Sequence, residues 1–130
     1  MDSTNIQILK HIISYADQIN EATSLFNGNL EQLKNNTVYR NAVALCVLQI
    51  GELSNHLTED YRNLTSGEIP WREIRGLRNI VAHHYGKIDY ELLWETVSFD
   101  VPNLKSFCEK QISVYEALNE EAEISDEFEE

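Results

Sequence analysis

Residues 5–26 read NIQILKHIISYADQINEATSLF, and within them Leu9, Ile12, Ile13, Ala16, Ile19, Thr23 and Phe26 recur at steps of three and four. At about 100° per residue those steps gather the apolar side chains on one face, so the stretch predicts an amphipathic helix. Asn27-Gly28-Asn29 supplies its end. The same spacing runs through almost all of the 130 residues, and only 2 prolines and 5 glycines interrupt it. The chain therefore reads as all-α, an up-and-down bundle of four to five helices.

Working outward, a short helical turn around Leu30 to Leu33 leads to Asn36-Thr37, a good cap for a second long helix over 38–57. Its run Ala42-Val43-Ala44-Leu45-Cys46-Val47-Leu48 is apolar all round. Such a helix is either central to its bundle or faces a partner subunit, and a homodimer built on it is the economical expectation. Gln49 and Glu52 interrupt the pattern and read equally as a buried amide and a surface carboxylate or as members of a site. Residues 58–69 are polar, contain Ser66-Gly67 and read as the main loop. Pro70 suits the first turn of a third helix that runs to Tyr85 and stops at Gly86. Asp89 is placed to cap a fourth, whose helical spacing continues from Leu93 to Tyr115 through Pro102, which either kinks it or restarts it after an Asp100 cap.

Length and composition narrow the class. A chain of 15.0 kDa with 42% hydrophobic residues suits one folded domain, expected at 1–118, and excludes collagen-like or wholly disordered chains. The formal net charge of −12 argues against nucleic acid as a partner. Its distribution weakens that argument, because Glu120, Glu121, Glu123, Asp126, Glu127, Glu129 and Glu130 carry over half of the excess. Residues 119–130 read as an acidic, disordered tail. The opposite bias occurs from Trp71 to Lys87, where Arg72, Arg75, Arg78, Lys87, His83 and His84 meet one acid, Glu73. Cys46 and Cys108 lie within apolar helical patterns and read as reduced, structural residues. No apolar run long enough for a bilayer and no signal-like start is seen, so a cytoplasmic protein without membrane attachment is expected.

The third helix carries the chemistry. Ile74, Leu77, Ile80, Val81 and His84 share one side, and Arg72, Arg75, Arg78, Asn79 and His83 the other. Arg75, Asn79 and His83 form a ladder at four-residue steps, and Arg78 and Tyr85, seven apart, form a stripe beside it. These groups suit cleavage of RNA without a metal or other cofactor. The ribose 2′-hydroxyl is the nucleophile, an imidazole moves protons near neutral pH, and guanidinium forks match phosphate oxygens. Two such helices across a dimer axis supply two imidazoles and a shared cationic cleft. His83 and His84 are adjacent and point to different faces, which disfavours zinc, and His11 and His56 read as surface or capping residues.

The pattern Ile69-Pro70-Trp71, Gly76, Arg78-Asn79, His83-x-Tyr85, Ile88-Asp89, Trp94 and Asp100-x-Pro102-x-Leu104 resembles the HepT-like branch of the HEPN superfamily, the small helical ribonuclease toxins of prokaryotic toxin–antitoxin systems. Arg78, His83 and Tyr85 match that branch's Arg-x-x-x-x-His-x-Tyr signature, and the likeness covers about Asn5 to Leu118. The resemblance implies a dimeric five-helix bundle that cuts RNA, tRNA or mRNA, without metal, with Arg78 and His83 as catalytic pair. Arg75, Asn79 and Arg72 are supporting phosphate contacts on the helix geometry. It also implies a minimal nucleotidyltransferase antitoxin that transfers AMP to Tyr85, as in a type VII-like pair. The rival is a non-catalytic HEPN adaptor or nucleotidyltransferase partner module, which has no need of Arg78 and His83 together on an exposed face.

Overall fold

The computed structural model describes residues 2–84 and 87–129, with side chains at 2–79 and 87–125. Asp2 stands in extended conformation and accepts from the Thr4 N–H, so α1 (Ser3–Leu25) starts at a capped end. Its buried face is the one the spacing predicts: Leu9, Ile12, Ala16 and Ile19 are all but inaccessible to solvent. Each such Leu or Ile contributes about 1.5–3 kcal/mol through burial. Asn27 then takes a φ of 50° and the Gly28 N–H bonds back to the Thr23 carbonyl at 2.8 Å, ending α1 in a left-handed turn. A Cβ at Gly28 would collide with the phenol of Tyr39, which is fully buried and hydrogen-bonds Thr23 Oγ1 at 3.0 Å.

α2 (Leu30–Asn35) buries Leu33 and leads to Asn36, whose side chain accepts from the Tyr39 N–H at 3.1 Å and caps α3 (Thr37–His56). α3 is the central helix. It packs on α1 along one side and on α5 (Trp71–His84) along another, while α1 also packs on α7 (Val101–Glu129). The apolar run at 42–48 accordingly has two fates: Val43, Ala44, Cys46 and Val47 are buried, whereas Leu45 is 55% exposed and Ala42 and Leu48 are half-buried. The expectation of enclosure on every side is thus met only on the sides that face α1 and α5.

The segment expected as the main loop contains a short helix, α4 (Glu59–Leu64). It buries only Tyr61 and therefore leaves no apolar periodicity in the sequence. Polar anchors hold it instead. Asn5 and Thr58 exchange hydrogen bonds at 3.0 and 3.1 Å, Thr58 Oγ1 caps α4 through the Tyr61 N–H, and Trp71 Nε1 donates to Thr65 Oγ1 at 2.8 Å. α5 follows directly on Pro70; the predicted stop at Gly86 lies outside the described residues.

Asp89 caps α6 (Tyr90–Glu95) through the Leu92 N–H, as expected. The chain then passes through a π-helical turn, Thr96–Asp100, into α7. Of the two predicted fates of Pro102 the structure is nearer the restart, because α7 begins at Val101, directly after Asp100. The Val101 N–H bonds the Thr96 carbonyl, and this wider turn shifts the register so that Pro102 falls in the first turn of α7, where a missing N–H costs little. α7 continues to Glu129, where the sequence suggested disorder from residue 119. Its acids ride a helix exposed throughout 116–125, built from strong helix formers such as Glu and Ala. Lys105 and Asp17, 2.6 Å apart, tie the packed half of α7 to α1. Both cysteines are free and buried, and burial pushes the Cys108 thiol up to about 12. No described helix is long and apolar enough to cross a membrane.

Candidate active site

Where α3 meets α5, Gly51 lies against the backbone of α5. A Cβ there would stand 3.0 Å from the Arg78 backbone nitrogen, 3.2 Å from the Ile74 carbonyl oxygen and 3.3 Å from Arg78 Cβ. The missing side chain lets the two helices close, and it brings the next residues of α3 against the polar face of α5. Glu52 Oε1 accepts from Arg78 Nη1 at 3.0 Å. One turn on, Asn55 Oδ1 accepts from both Nε and Nη2 of Arg75, at 3.0 and 2.8 Å. These bonds fix two guanidinium groups that the helix alone would leave free to swing.

The result is a shallow polar groove lined by Asn55, Arg72, Arg75, Gly76, Arg78 and Asn79. Arg75 and Arg78 are half-buried, whereas Arg72 and Asn79 are exposed. The groove thus unites four of the six predicted site residues, and it joins the ladder of Arg75 and Asn79 to the neighbouring stripe of Arg78. His83 belongs to α5 by its backbone, but its side chain and all of Tyr85 lie outside the described residues, as does the placement of His84 on the apolar face. His11 and His56 are exposed, in keeping with surface residues. Ile74 is buried and Leu77 half-buried, on the side assigned to the core.

Glu52, left open by the sequence between a surface carboxylate and a site residue, faces the site. Two residues were missed. Asn55 sits three residues after Glu52 on the same face of α3, a spacing that flags it only once α5 is known to pack there. Arg62 lies in the stretch read as loop, and its Nη1 donates to the carbonyls of Asn55 and Leu57. Burial and the neighbouring Arg75 charge both lower its pKa.

The close approach at Gly51 gives opposite signs for two glycine substitutions. Gly51→Ala gains about 1 kcal/mol of helix propensity, but overpacking against rigid backbone costs about 1–3 kcal/mol, so the thermal midpoint should fall. Gly76→Ala, in α5 with nothing within 4 Å of its would-be Cβ, should raise the midpoint by the propensity gain alone. Thermal melts followed by circular dichroism read both.

The Ribonuclease HepT-like family matches residues 12–111, a span that holds α3, α5 and the groove between them. A candidate RNase of Methanocaldococcus jannaschii, MJ1380, is 39% identical over 97 residues, covering 75% of this chain and 86% of its own. A second from that organism, MJ1216, is 33% identical over 112 residues, covering 86% and 90%. A candidate ribonuclease HepT of Thermococcus cleftensis is 43% identical over 61 residues, covering 47% and 54%. No solved structure matches the chain significantly. With the helical bundle, the arginine-lined groove and matches over most of its length, the chain belongs to the HepT-like ribonuclease family.

Proposed function

We propose that the protein is a metal-independent endoribonuclease, the toxin of a type VII-like toxin–antitoxin pair, which cuts tRNA or mRNA with Arg78 and His83. The observation that carries the reading is the groove on α5, where three arginines and Asn79 converge beside a single bonded carboxylate, Glu52. Glu52 engages Nη1 of Arg78, so the remaining edge of the guanidinium fork faces a substrate phosphate. In the reaction the ribose 2′-oxygen attacks the adjacent phosphorus and the bond to the 5′-oxygen of the next nucleotide breaks. His83 takes the hydroxyl proton or returns one to the leaving oxygen, and Arg78 offsets the charge that builds on the phosphoryl oxygens.

Each chain brings one His83, so the full acid–base pair needs a second copy. One stripe of α3 supports that assembly. Val38 and Leu45 are exposed and Ala42 and Leu48 half-buried along it, and the same stripe continues into Gln49, Glu52 and Asn55. A second copy covering the apolar end would abut the groove at the polar end, giving a composite cleft. Light scattering should report a dimer at micromolar concentration; a stable monomer would remove the shared cleft.

The direct test is incubation of purified protein with labelled RNA, with and without chelator. Cleavage that persists in chelator and leaves 2′,3′-cyclic phosphate and 5′-hydroxyl ends is expected. Products with 3′-hydroxyl and 5′-phosphate ends, or loss of activity on chelation, would overturn the mechanism.

A further inference from the structure

We propose that Asn55 clamps Arg62 and Arg75 into a second phosphate subsite, which grips the substrate strand beside the scissile bond. The proposal rests on the ribonuclease reading for the identity of its ligand. Asn55 stands in the last turn of α3 and holds two guanidinium groups at once. Its side-chain oxygen takes Nε and Nη2 of Arg75 at 3.0 and 2.8 Å, and its backbone carbonyl takes Nη1 of Arg62 at 3.1 Å. Arg62 Nη1 also donates to the Leu57 carbonyl. Every acceptor in this cluster is neutral. Among the described residues no carboxylate lies within ion-pairing distance of Arg62, Arg72 or Arg75, in contrast to Arg78 with Glu52.

Two cations drawn together through neutral oxygens repel each other, and an anion between them relieves that repulsion. The free edges are complementary. Arg75 is held by Nε and Nη2 and keeps Nη1, while Arg62 is held by Nη1 and keeps Nε and Nη2. Arg72 and Arg75 line both the α3–α5 groove and the adjoining hollow, which Arg62, Asn63 and Ser66 complete on the α4 side and to which Glu73 contributes one acid. A row of guanidinium groups therefore runs from Arg78 past Arg75 to Arg62. Arg75 and Arg78 are three residues apart on α5, about 4.5 Å along the helix axis. That continuity favours a phosphodiester of the strand over a lone anion.

The test is fluorescence anisotropy with an uncleavable 2′-O-methyl oligonucleotide, so that binding is read whether or not the protein cuts RNA. Arg62→Gln and Arg72→Ala should each weaken the oligonucleotide about tenfold and lower its salt slope by about 0.7 per charge removed. For Arg62→Gln the 2′-O-methyl dinucleotide, which has one phosphodiester to place at Arg78, should lose less than about twofold. Arg62→Lys should keep the salt slope. If Arg62→Gln does not fold by circular dichroism, Arg72→Ala, on the exposed rim, carries the same readout. Unchanged affinity and slope in folded variants would overturn the proposal, as would a wild type that does not bind the oligonucleotide. Affinity lost for 5′-AMP but kept for the oligonucleotide would assign the subsite to a free nucleotide and overturn the strand reading. Absence of cleavage in wild type with these binding effects intact would count against the catalytic reading alone.

Discussion

His83→Ala and Arg78→Ala should each lower RNA cleavage by about a hundredfold or more while the helical circular dichroism signal stays intact. A positioned acid–base group is worth about 10²–10⁴ in rate, and a donor aimed at developing oxyanion charge about 10²–10³. Arg78 is half-exposed and its ion pair with Glu52 joins partly solvated groups, so its removal costs about 0–1 kcal/mol of stability. The fold should survive. Glu52→Gln isolates a different effect, because the amide still accepts from Arg78 without the charge and should lower kcat far less than loss of the guanidinium itself. Rates near wild type for either alanine variant would remove its residue from the chemistry. A collapse of helicity in Arg78→Ala would instead show that the pair with Glu52 holds α5 to α3.

Periodicity made the bundle legible because most of the long helices bury a one-sided apolar stripe, as α1 does with Leu9, Ile12, Ala16 and Ile19. Where polar bonds replace that stripe the pattern is silent. α4 buries Tyr61 alone and is held by polar bonds, of Thr58 to Asn5 far away in the chain and of Thr65 to Trp71 nearby, that leave no apolar spacing. The π-helical turn at Thr96–Asp100 is likewise a backbone adjustment to Pro102 that side-chain spacing does not encode. The site divides in the same way. Arg72, Arg75, Arg78 and Asn79 were readable together because they share one face of one helix. Asn55 and Arg62 come from other elements, and what joins them to that face is the approach allowed at Gly51. No local pattern in the sequence marks that approach, since a glycine inside a helix commonly means only lost propensity.

The second large effect concerns Tyr85, which we expect to be the acceptor of AMP from a cognate minimal nucleotidyltransferase. The phenol oxygen attacks the α-phosphate of ATP, the bond to the β-phosphate breaks, pyrophosphate leaves and the phenolic proton passes to solvent. In the sequence Tyr85 lies seven positions beyond Arg78, a spacing that on a helix returns to the same stripe. An AMP group on that stripe brings a phosphodiester and a purine toward a groove already lined by Arg72, Arg75 and Arg78. Guanidinium forks bind phosphate in bidentate fashion, so the modified protein would supply its own anion to the surface meant for substrate. Silencing would then be both electrostatic and steric, and stronger than loss of a phenol. The expected result is that co-expression with a cognate nucleotidyltransferase abolishes cleavage and that mass spectrometry maps AMP adducts to a peptide containing Tyr85. Tyr85→Phe should keep cleavage and lose both adducts and silencing. Adducts on other residues, or neutralisation that survives Tyr85→Phe, would overturn the switch and leave the antitoxin acting through binding alone.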